Sequence, residues 1–301
     1  MDRISTAQMY ERGINSMLER QLQLSKTQMQ ISSGKRILSP KDDPAGAAYA
    51  LSLKGVISQV EQYQDNADRA KSRLDLQEAT LAVVDDILPR VQELMIQGLS
   101  DTYSAADRQM IATELRQLNQ ELMALANTRD SNGEYIFAGY DADTIPFTNP
   151  ADGVFTYQGD MGTRSLRISA TRQVQDRENG FDVFMNVDTS TGTKRSLFDT
   201  VHGIITSLEA DAPDATYLED LRLAQVHNVS VRARGGAGIN TIEEQVMVND
   251  DFLLTMQTTL SNTEDLDMAE AISRFELEKT ALEAAQQTFN MVQSLSLFNY
   301  L

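Results

Sequence analysis

The pattern of apolar and polar residues at the start of the chain predicts a helix over residues 6–33. Apolar residues recur there at alternating spacings of four and three, which is typical of a coiled-coil seam. The seam positions are Tyr10, Ile14, Met17, Gln21, Leu24, Gln28 and Ile31. Ser32 and Ser33 then precede Gly34. We expect Gly34 to end the helix, because glycine readily adopts the left-handed conformation found just after helix ends.

A second seam lies at the end of the chain, in a helix predicted to begin near Asp265. Only one of its eight positions, Glu278, is charged. The positions are Met268, Ala271, Phe275, Glu278, Leu282, Ala285, Phe289 and Val292. Burial of a Leu or Phe from such a stripe contributes about 2 kcal/mol once another helix covers it. From the pattern alone, packing within one chain and packing between chains are equally consistent.

Helical periodicity also predicts most of the middle of the chain. The predicted helices cover about 44–98, about 105–129, a segment that starts at Leu197, about 215–234 and about 240–262. Asp43 is the expected N-cap before Pro44, and Ser104 or Asp107 is the expected N-cap of the next helix. The run Gly235-Gly236-Ala237-Gly238 is predicted to break the helical pattern, as a flexible connection between two helices.

Residues 133–192 differ from the rest, because they hold seven of the sixteen glycines. Residues 154–157 and 165–168 resemble strands, and Asp152-Gly153 is a turn dipeptide before the first. The fold is therefore predicted to be mainly α with a small β-rich insert. The order of elements suggests that the two chain ends run side by side and that the insert projects from the far end.

The charge and composition narrow the possible functions. The formal net charge is −18, which disfavours nucleic acid as a partner. Absence of cysteine removes disulfides, thiol nucleophiles and zinc–thiolate sites. No apolar run approaches the ~20 residues that a membrane span needs, and Met1–Ser33 has no apolar core of a cleavable signal. We expect a cytoplasmic protein or one exported by another route.

Candidate chemical motifs all have simpler structural interpretations, so no catalytic, cofactor or metal site is expected. Asp42-Asp43 could be a metal-binding pair, but the start of a helix explains it better. The glycine run lacks the Lys-Ser/Thr of a phosphate-binding loop. His202 and His227 have no Ser or Asp at a spacing that suggests catalysis.

Several separate motifs resemble the flagellin family, which includes flagellins and hook–filament junction proteins. Residues 31–37 (ISSGKRI) and 42–46 (DDPAG) resemble its N-terminal signature, and residues 295–301 (LSLFNYL) resemble its C-terminus. Residues 132–140 (NGEYIFAGY) and 157–160 (YQGD) are similar to the junction branch. One departure is Asp2, which moves Arg3-Ile4-Ser5-Thr6 by one place from the usual start.

The resemblance implies a layered, flagellin-like architecture in which the terminal helices pack as a coiled coil around an axial channel. The implied domains are an inner helical domain (1–43 with 264–301), a helical rod domain (44–134 with 196–263) and a small outer β-rich domain (135–195). The resemblance favours contacts between subunits over a bundle within one chain. The predicted assembly interface consists of Tyr10, Ile14, Met17, Leu24, Ile31, Met268, Ile272, Phe275, Leu282, Phe289, Val292, Leu295, Phe298 and Leu301.

The function implied by the resemblance is that of a structural adaptor at the bacterial hook–filament junction, outside the cell. Its implied partners are other copies of itself, the second junction protein, flagellin, an export chaperone and the type III export apparatus. Neither nucleic acid nor membrane insertion is expected. A flagellin filament subunit is the nearest alternative, and a secreted enzyme or an intracellular coiled-coil scaffold are alternatives of other classes.

We predict that both chain ends are partly disordered in the free subunit and fold on assembly, because we expect each seam to lack a covering partner within one chain. Circular dichroism and limited proteolysis of the purified subunit would measure this. Terminal segments that resist protease as well as the middle of the chain does would contradict the prediction.

Overall fold

The computed structural model describes residues 6–298, and most of them are helical. The helices are α1 (Thr6–Ser33), α2 (Pro44–Leu99), α3 (Ala105–Ala126), α4 (Leu197–Glu209), α5 (Thr216–Glu264) and α6 (Met268–Phe298). A short π-helix spans Phe181–Met185. The expected mainly α fold with a small β-rich insert is confirmed. Within the described residues, no helix is both long enough and apolar enough to cross a membrane.

The helix ends follow from local side-chain chemistry. The Gly46 backbone N–H donates to Asp43 Oδ1 at 2.9 Å, as expected for an Asp N-cap before Pro44. Ser104 is the N-cap of α3, which confirms the first of the two expected N-caps, and Asp107 at N3 completes a reciprocal capping box with it. Gly34 has a φ of 68°, which confirms it as the residue that follows α1.

Within residues 6–298, the strands form three separate antiparallel pairs. They are β1 (Phe147–Ala151) with β2 (Val154–Tyr157), β3 (Ser165–Arg167) with β4 (Gln173–Gln175), and β5 (Val187–Asp188) with β6 (Lys194–Arg195). Gly153 turns the chain between β1 and β2 with a φ of 74°, as the Asp152-Gly153 dipeptide predicted. A register irregularity separates the Thr148–Thr156 pair from the Ala151–Val154 pair.

Residue contacts divide the chain into two units. The terminal unit comprises Met1–Gln59 with Phe252–Leu301, and the central unit comprises Val60–Asp251. The three-domain division implied by the resemblance is a different partition, and it stays a prediction.

The core of the central unit combines helical and strand residues. Phe137, Phe147, Phe184 and Phe198 are fully buried. The rings of Phe147 and Phe184 meet edge to face with centroids 5.4 Å apart, and Phe184 stacks on Phe198 at 5.7 Å. The same cluster contains Leu81, Leu115 and other buried residues of α2, α3, α4 and α5. The β1–β2 and β5–β6 pairs therefore share a core with the helices, and β3–β4 packs on a second cluster around Leu74 and Ile242.

The predicted helix break at Gly235-Gly236-Ala237-Gly238 is wrong, because α5 continues through these residues. Packing against α2 outweighs the low helix propensity of glycine. Arg232 pairs with Glu78 and Asp85 of α2 at 2.7 Å each, and the Asn228 amide donates to the Leu81 carbonyl at 3.1 Å. These contacts, together with the buried Val231 and Ile242, hold the helix on both sides of the glycines.

The glycines of this run differ in the space around them, which gives a matched pair of substitutions. A Cβ at Gly236 would meet nothing within 4 Å, so Gly236→Ala should raise the free energy of unfolding by about 0.5–1 kcal/mol. A Cβ at Gly238 would lie 3.1 Å from Leu74 Cδ1, so Gly238→Ala should gain less or lose stability. Urea denaturation of both variants measures this. A Gly236→Ala variant that unfolds more easily than the parent would contradict the prediction.

Candidate assembly interface

Helices α1 and α6 pair with each other antiparallel within one chain. The ring centroids of Tyr10, early in α1, and Phe289, late in α6, lie 4.9 Å apart, while Lys35 beyond α1 forms an isolated antiparallel β-bridge with Asp265 before α6. Gly13 faces the same Phe289 ring so closely that an added Cβ would lie 3.0 Å from it. This pairing corrects the expectation that each seam lacks a covering partner within one chain.

The pairing only half-buries the predicted seam. The predicted interface residues that are half-buried are Ile14, Met17, Leu24, Ile31, Phe275, Leu282 and Phe289. Tyr10, Met268 and Ile272 stay exposed even though the two helices are paired. The side chains of Val292, Leu295 and Phe298, and all of Leu301, lie outside the described residues. Whether these fourteen residues meet another subunit stays a prediction.

A second set of apolar side chains lies on other sides of the same two helices. Leu18, Leu22 and Met29 of α1 are spaced by four and seven residues, so they share one side of the helix, roughly 110° from the seam at 3.6 residues per turn. Leu22 is 71% exposed. On α6, Leu277 and Met291 are similarly exposed, at 71% and 66%. The prediction from sequence omitted these five residues, although the spacing of the α1 set was visible.

Exposed apolar residues continue on the parts of α2 and α5 that belong to the terminal unit. They are Tyr49 and Leu51 on α2 and Phe252 and Leu254 on α5. Single exposed large apolar side chains are common in proteins. A unit that exposes them on four helices has a surface suited to binding other proteins.

The chain ends are joined by a short antiparallel bridge, which we call the terminal bridge and which consists of Gly34–Arg36 and Glu264–Leu266. The Arg36 N–H donates to the Glu264 carbonyl at 2.7 Å, and the Leu266 N–H donates to the Gly34 carbonyl at 2.9 Å. The left-handed turn at Gly34 directs the chain toward this pairing. The motif at residues 31–37 therefore has a structural role, because it ends α1 and fixes it beside the start of α6.

Glu264 is the electrostatic centre of the terminal bridge. Its carboxylate lies 2.5 Å from Lys54 Nζ and 2.9 Å from Lys35 Nζ, and the residue is only 8% exposed. The hydrogen bond from Lys54 and then that from Lys35 lower the pKa of Glu264, since both favour the ionised form. Lys35 responds in the opposite sense, because its bond to Glu264 raises the pKa of its ammonium group.

The motifs considered for catalysis have structural partners. Asp42 pairs with Lys26 at 2.7 Å and accepts a bond from the Ser39 N–H, while Asp43 caps α2. His227 Nε2 lies 2.8 Å from the Asp182 carbonyl oxygen. His202 stands against Phe155, with ring centroids 6.1 Å apart. Across residues 6–298, no group of three or more His, Asp or Glu is placed to hold a metal ion.

A mainly helical chain whose paired ends expose apolar side chains has the features of a structural subunit of a larger assembly. A family model for the bacterial flagellin N-terminal helical region matches residues 4–142. Flagellar hook-associated protein 3 of Escherichia coli K12 is 29% identical, and that of Salmonella typhimurium LT2 is 28% identical, over 98% of this chain and 98% of each relative. Flagellin of Bacillus subtilis is 28% identical over 87% of this chain and 86% of its own.

Solved structures give the same fold. Hook-associated protein 3 of Legionella pneumophila superposes with a TM-score of 0.66 at 21% identity, covering 70% of this chain and 97% of that one. FlgL of Xanthomonas campestris gives a TM-score of 0.63 at 20% identity, covering 69% of this chain and 99% of that one. The chain is therefore similar to hook-associated protein 3 along nearly its whole length, and it shares the fold of the solved hook-associated proteins.

The charge centre of the terminal bridge makes a pH-dependent prediction. Because the folded-state pKa of Glu264 is lowered, its contribution is present above the unfolded-state pKa and is lost as the pH falls through the folded-state value. Glu264→Gln should cost on the order of 1 kcal/mol of unfolding free energy at pH 7, discounted for the exposed lysine ends. The difference in unfolding free energy between this variant and the parent should shrink in acid.

Urea denaturation at several pH values measures this difference. Glu270→Gln is the matched control, because Glu270 is an exposed residue of α6 that pairs with Arg274 at 3.4 Å one helical turn away. It should leave stability nearly unchanged. If the difference in unfolding free energy between Glu264→Gln and the parent stays constant down to strongly acidic pH, the electrostatic role of Glu264 is ruled out.

Proposed function

We propose that this chain is a structural adaptor subunit at the bacterial hook–filament junction. The observation that carries the proposal is the similarity to hook-associated protein 3, which extends over 98% of the chain in two curated relatives. The paired chain ends with apolar groups on several sides supply the physical means. The work of such a subunit is to bind through complementary side chains, as expected of the structural proteins it resembles.

Each terminal helix has two functions in this proposal. One side, which includes Ile14, Met17 and Leu24, packs against the other end of the same chain. A second side, which includes Leu22 on α1 and Leu277 on α6, packs against neighbouring subunits. Burial of each such Leu contributes about 2 kcal/mol, so a few contacts per neighbour support a stable ring. The predicted interface residues contribute to both sides.

The partners follow from this position. We propose contacts with other copies of this chain, with the second junction protein on one side and with flagellin on the other. Export before assembly would use a chaperone and the flagellar type III apparatus, without a cleavable signal, and would place the protein outside the cell. A net charge of −18 keeps the exported subunit soluble and fits neither nucleic acid nor membrane insertion as a mode of binding.

A flagellin filament subunit is the second candidate, because flagellin of Bacillus subtilis matches 87% of the chain. The two candidates differ in whether growth is limited. A junction subunit adds a short ring to a hook and then accepts flagellin, whereas a flagellin polymerises by itself. Electron microscopy of the purified protein, alone and with isolated hooks, separates the two, and long filaments from the protein alone would favour flagellin.

Substitution on the exposed side of α1 tests the proposed contacts. Leu22→Glu should weaken attachment to isolated hooks that carry the second junction protein by about thirtyfold or more, since ~2 kcal/mol of burial is lost and a charge is introduced. Gln23→Glu is the matched control, because it adds the same charge at the next, polar and exposed position of the helix. Co-sedimentation with hooks measures binding. The parent, Leu22→Glu and Gln23→Glu should have similar thermal unfolding temperatures as free subunits.

The opposite result has a clear meaning. If Leu22→Glu and Leu277→Glu both bind hooks as tightly as Gln23→Glu does, the exposed sides of α1 and α6 take no part in assembly. Removal of either whole terminal helix is the stronger test of the function itself, and attachment that survives it would contradict the proposal.

A further inference from the structure

A network of charges in the central unit, with Asp176 and Arg177 buried at its centre, lies outside the proposed interface. It joins α2, the segment after α3 and the β3–β4 hairpin. At its centre Asp176, which has no solvent exposure, accepts through Oδ2 from Arg73 Nη1 at 2.8 Å and from Arg164 Nε at 2.9 Å. Glu134 accepts from Arg73 at 2.7 Å.

The charges of this network balance. The cations are Arg73, Arg164 and Arg177, and the anions are Asp130, Glu134 and Asp176. Burial of ionised groups is tolerated only when each is paired and its hydrogen-bonding atoms are satisfied. The balance also means that an additional ion of either sign would leave an uncompensated buried charge.

Two atoms of the network have no hydrogen-bond partner in the part of the chain that the structure describes. They are Asp176 Oδ1, an acceptor, and Arg177 Nε, a donor. The two atoms are 4.0 Å apart, which exceeds hydrogen-bonding distance. Both residues are at least nine-tenths buried, so bulk solvent does not satisfy these atoms. A molecule that accepts one hydrogen bond and donates another would span this gap.

A small cavity lined by the residues that carry these atoms restricts what that molecule is. Asp176 and Arg177 line a cavity of about 10 Å³, together with Arg73, Gln77 and Glu134. A single water molecule needs on the order of 10–15 Å³ and two to four polar partners. Any larger ligand is excluded by size, and an ion is disfavoured by the charge balance.

We propose that this cavity is the binding site of one internal water molecule, which accepts a hydrogen bond from Arg177 Nε–H and donates one to Asp176 Oδ1. The carboxylate of Glu134, which also lines the cavity, is available as an acceptor for the second O–H. The water completes the network where Arg177 Nε and Asp176 Oδ1 do not reach each other. This inference does not depend on the proposed function.

The site has a structural consequence for the segment around the Asn132–Tyr140 motif. Arg177 Nη1 donates to the Gly139 carbonyl at 2.9 Å, so the water holds the guanidinium group that fixes this segment. Burial raises the pKa of Asp176, while Arg177 and Arg73 oppose that rise. A hydrogen bond donated by water to Oδ1 adds to the effects that keep the carboxylate ionised.

Nuclear magnetic resonance of the ¹⁵N-labelled full chain tests the site in solution. Arg177 Hε should show a nuclear Overhauser effect to a long-lived water. Arg164 Hε is the internal control and should show none, because its nitrogen donates directly to Asp176 Oδ2. Absence of the effect at Arg177, or an equal effect at both arginines, would overturn the proposal.

A crystal structure of the full chain at a resolution that shows ordered waters gives an independent test. The expected result is a single density peak about 2.6–3.2 Å from both Arg177 Nε and Asp176 Oδ1. A direct hydrogen bond between those two atoms, with the cavity closed, would overturn the proposal. Density with the size or coordination of an ion would do so as well.

Discussion

A helix hides only one side of its surface against one partner, and the first and last helices of this chain carry apolar residues on more than one side. Pairing of α1 with α6 covers Ile14, Met17 and Leu24 only in part and leaves Leu22 and Leu277 in water. Water-exposed apolar surface of this extent is unfavourable unless a further partner covers it. The α1–α6 pair therefore leaves part of its apolar surface uncovered, which is the property that an assembly subunit needs.

The terminal bridge fixes where that surface is presented. Glu264 is held by Lys35 and Lys54, and backbone hydrogen bonds align Arg36 with it. Helices α1 and α6 lie side by side on the same side of the bridge, with opposite chain directions. Their register is therefore set at one end by the bridge and along their length by contacts such as Tyr10 with Phe289. The family-like motif at residues 31–37 thus sets how α1 lies beside α6, and its role is structural rather than chemical.

The central unit is held together in a different way. Its strand pairs are too small to be stable alone, since each has only two short strands. Phe147, Phe184 and Phe198 attach two of the pairs to the helical core. The third is attached by the apolar cluster around Leu74 and Ile242 together with the charge network around Asp176. Apolar contacts supply the stability, while the buried charges restrict which arrangement of hairpin and helix is allowed.

The sequence by itself determined the features that depend on neighbouring residues. Spacing of apolar residues predicted α1 and α6, Asp43 and Ser104 predicted helix starts, and Gly34 predicted a helix end, because caps and amphipathic stripes are local. The hook-associated resemblance was likewise visible in short motifs. Only the tertiary structure decided that the glycine run stays helical and which apolar side chains remain exposed. It also decided that Arg73 meets Asp176, because these outcomes depend on contacts between residues distant in the chain.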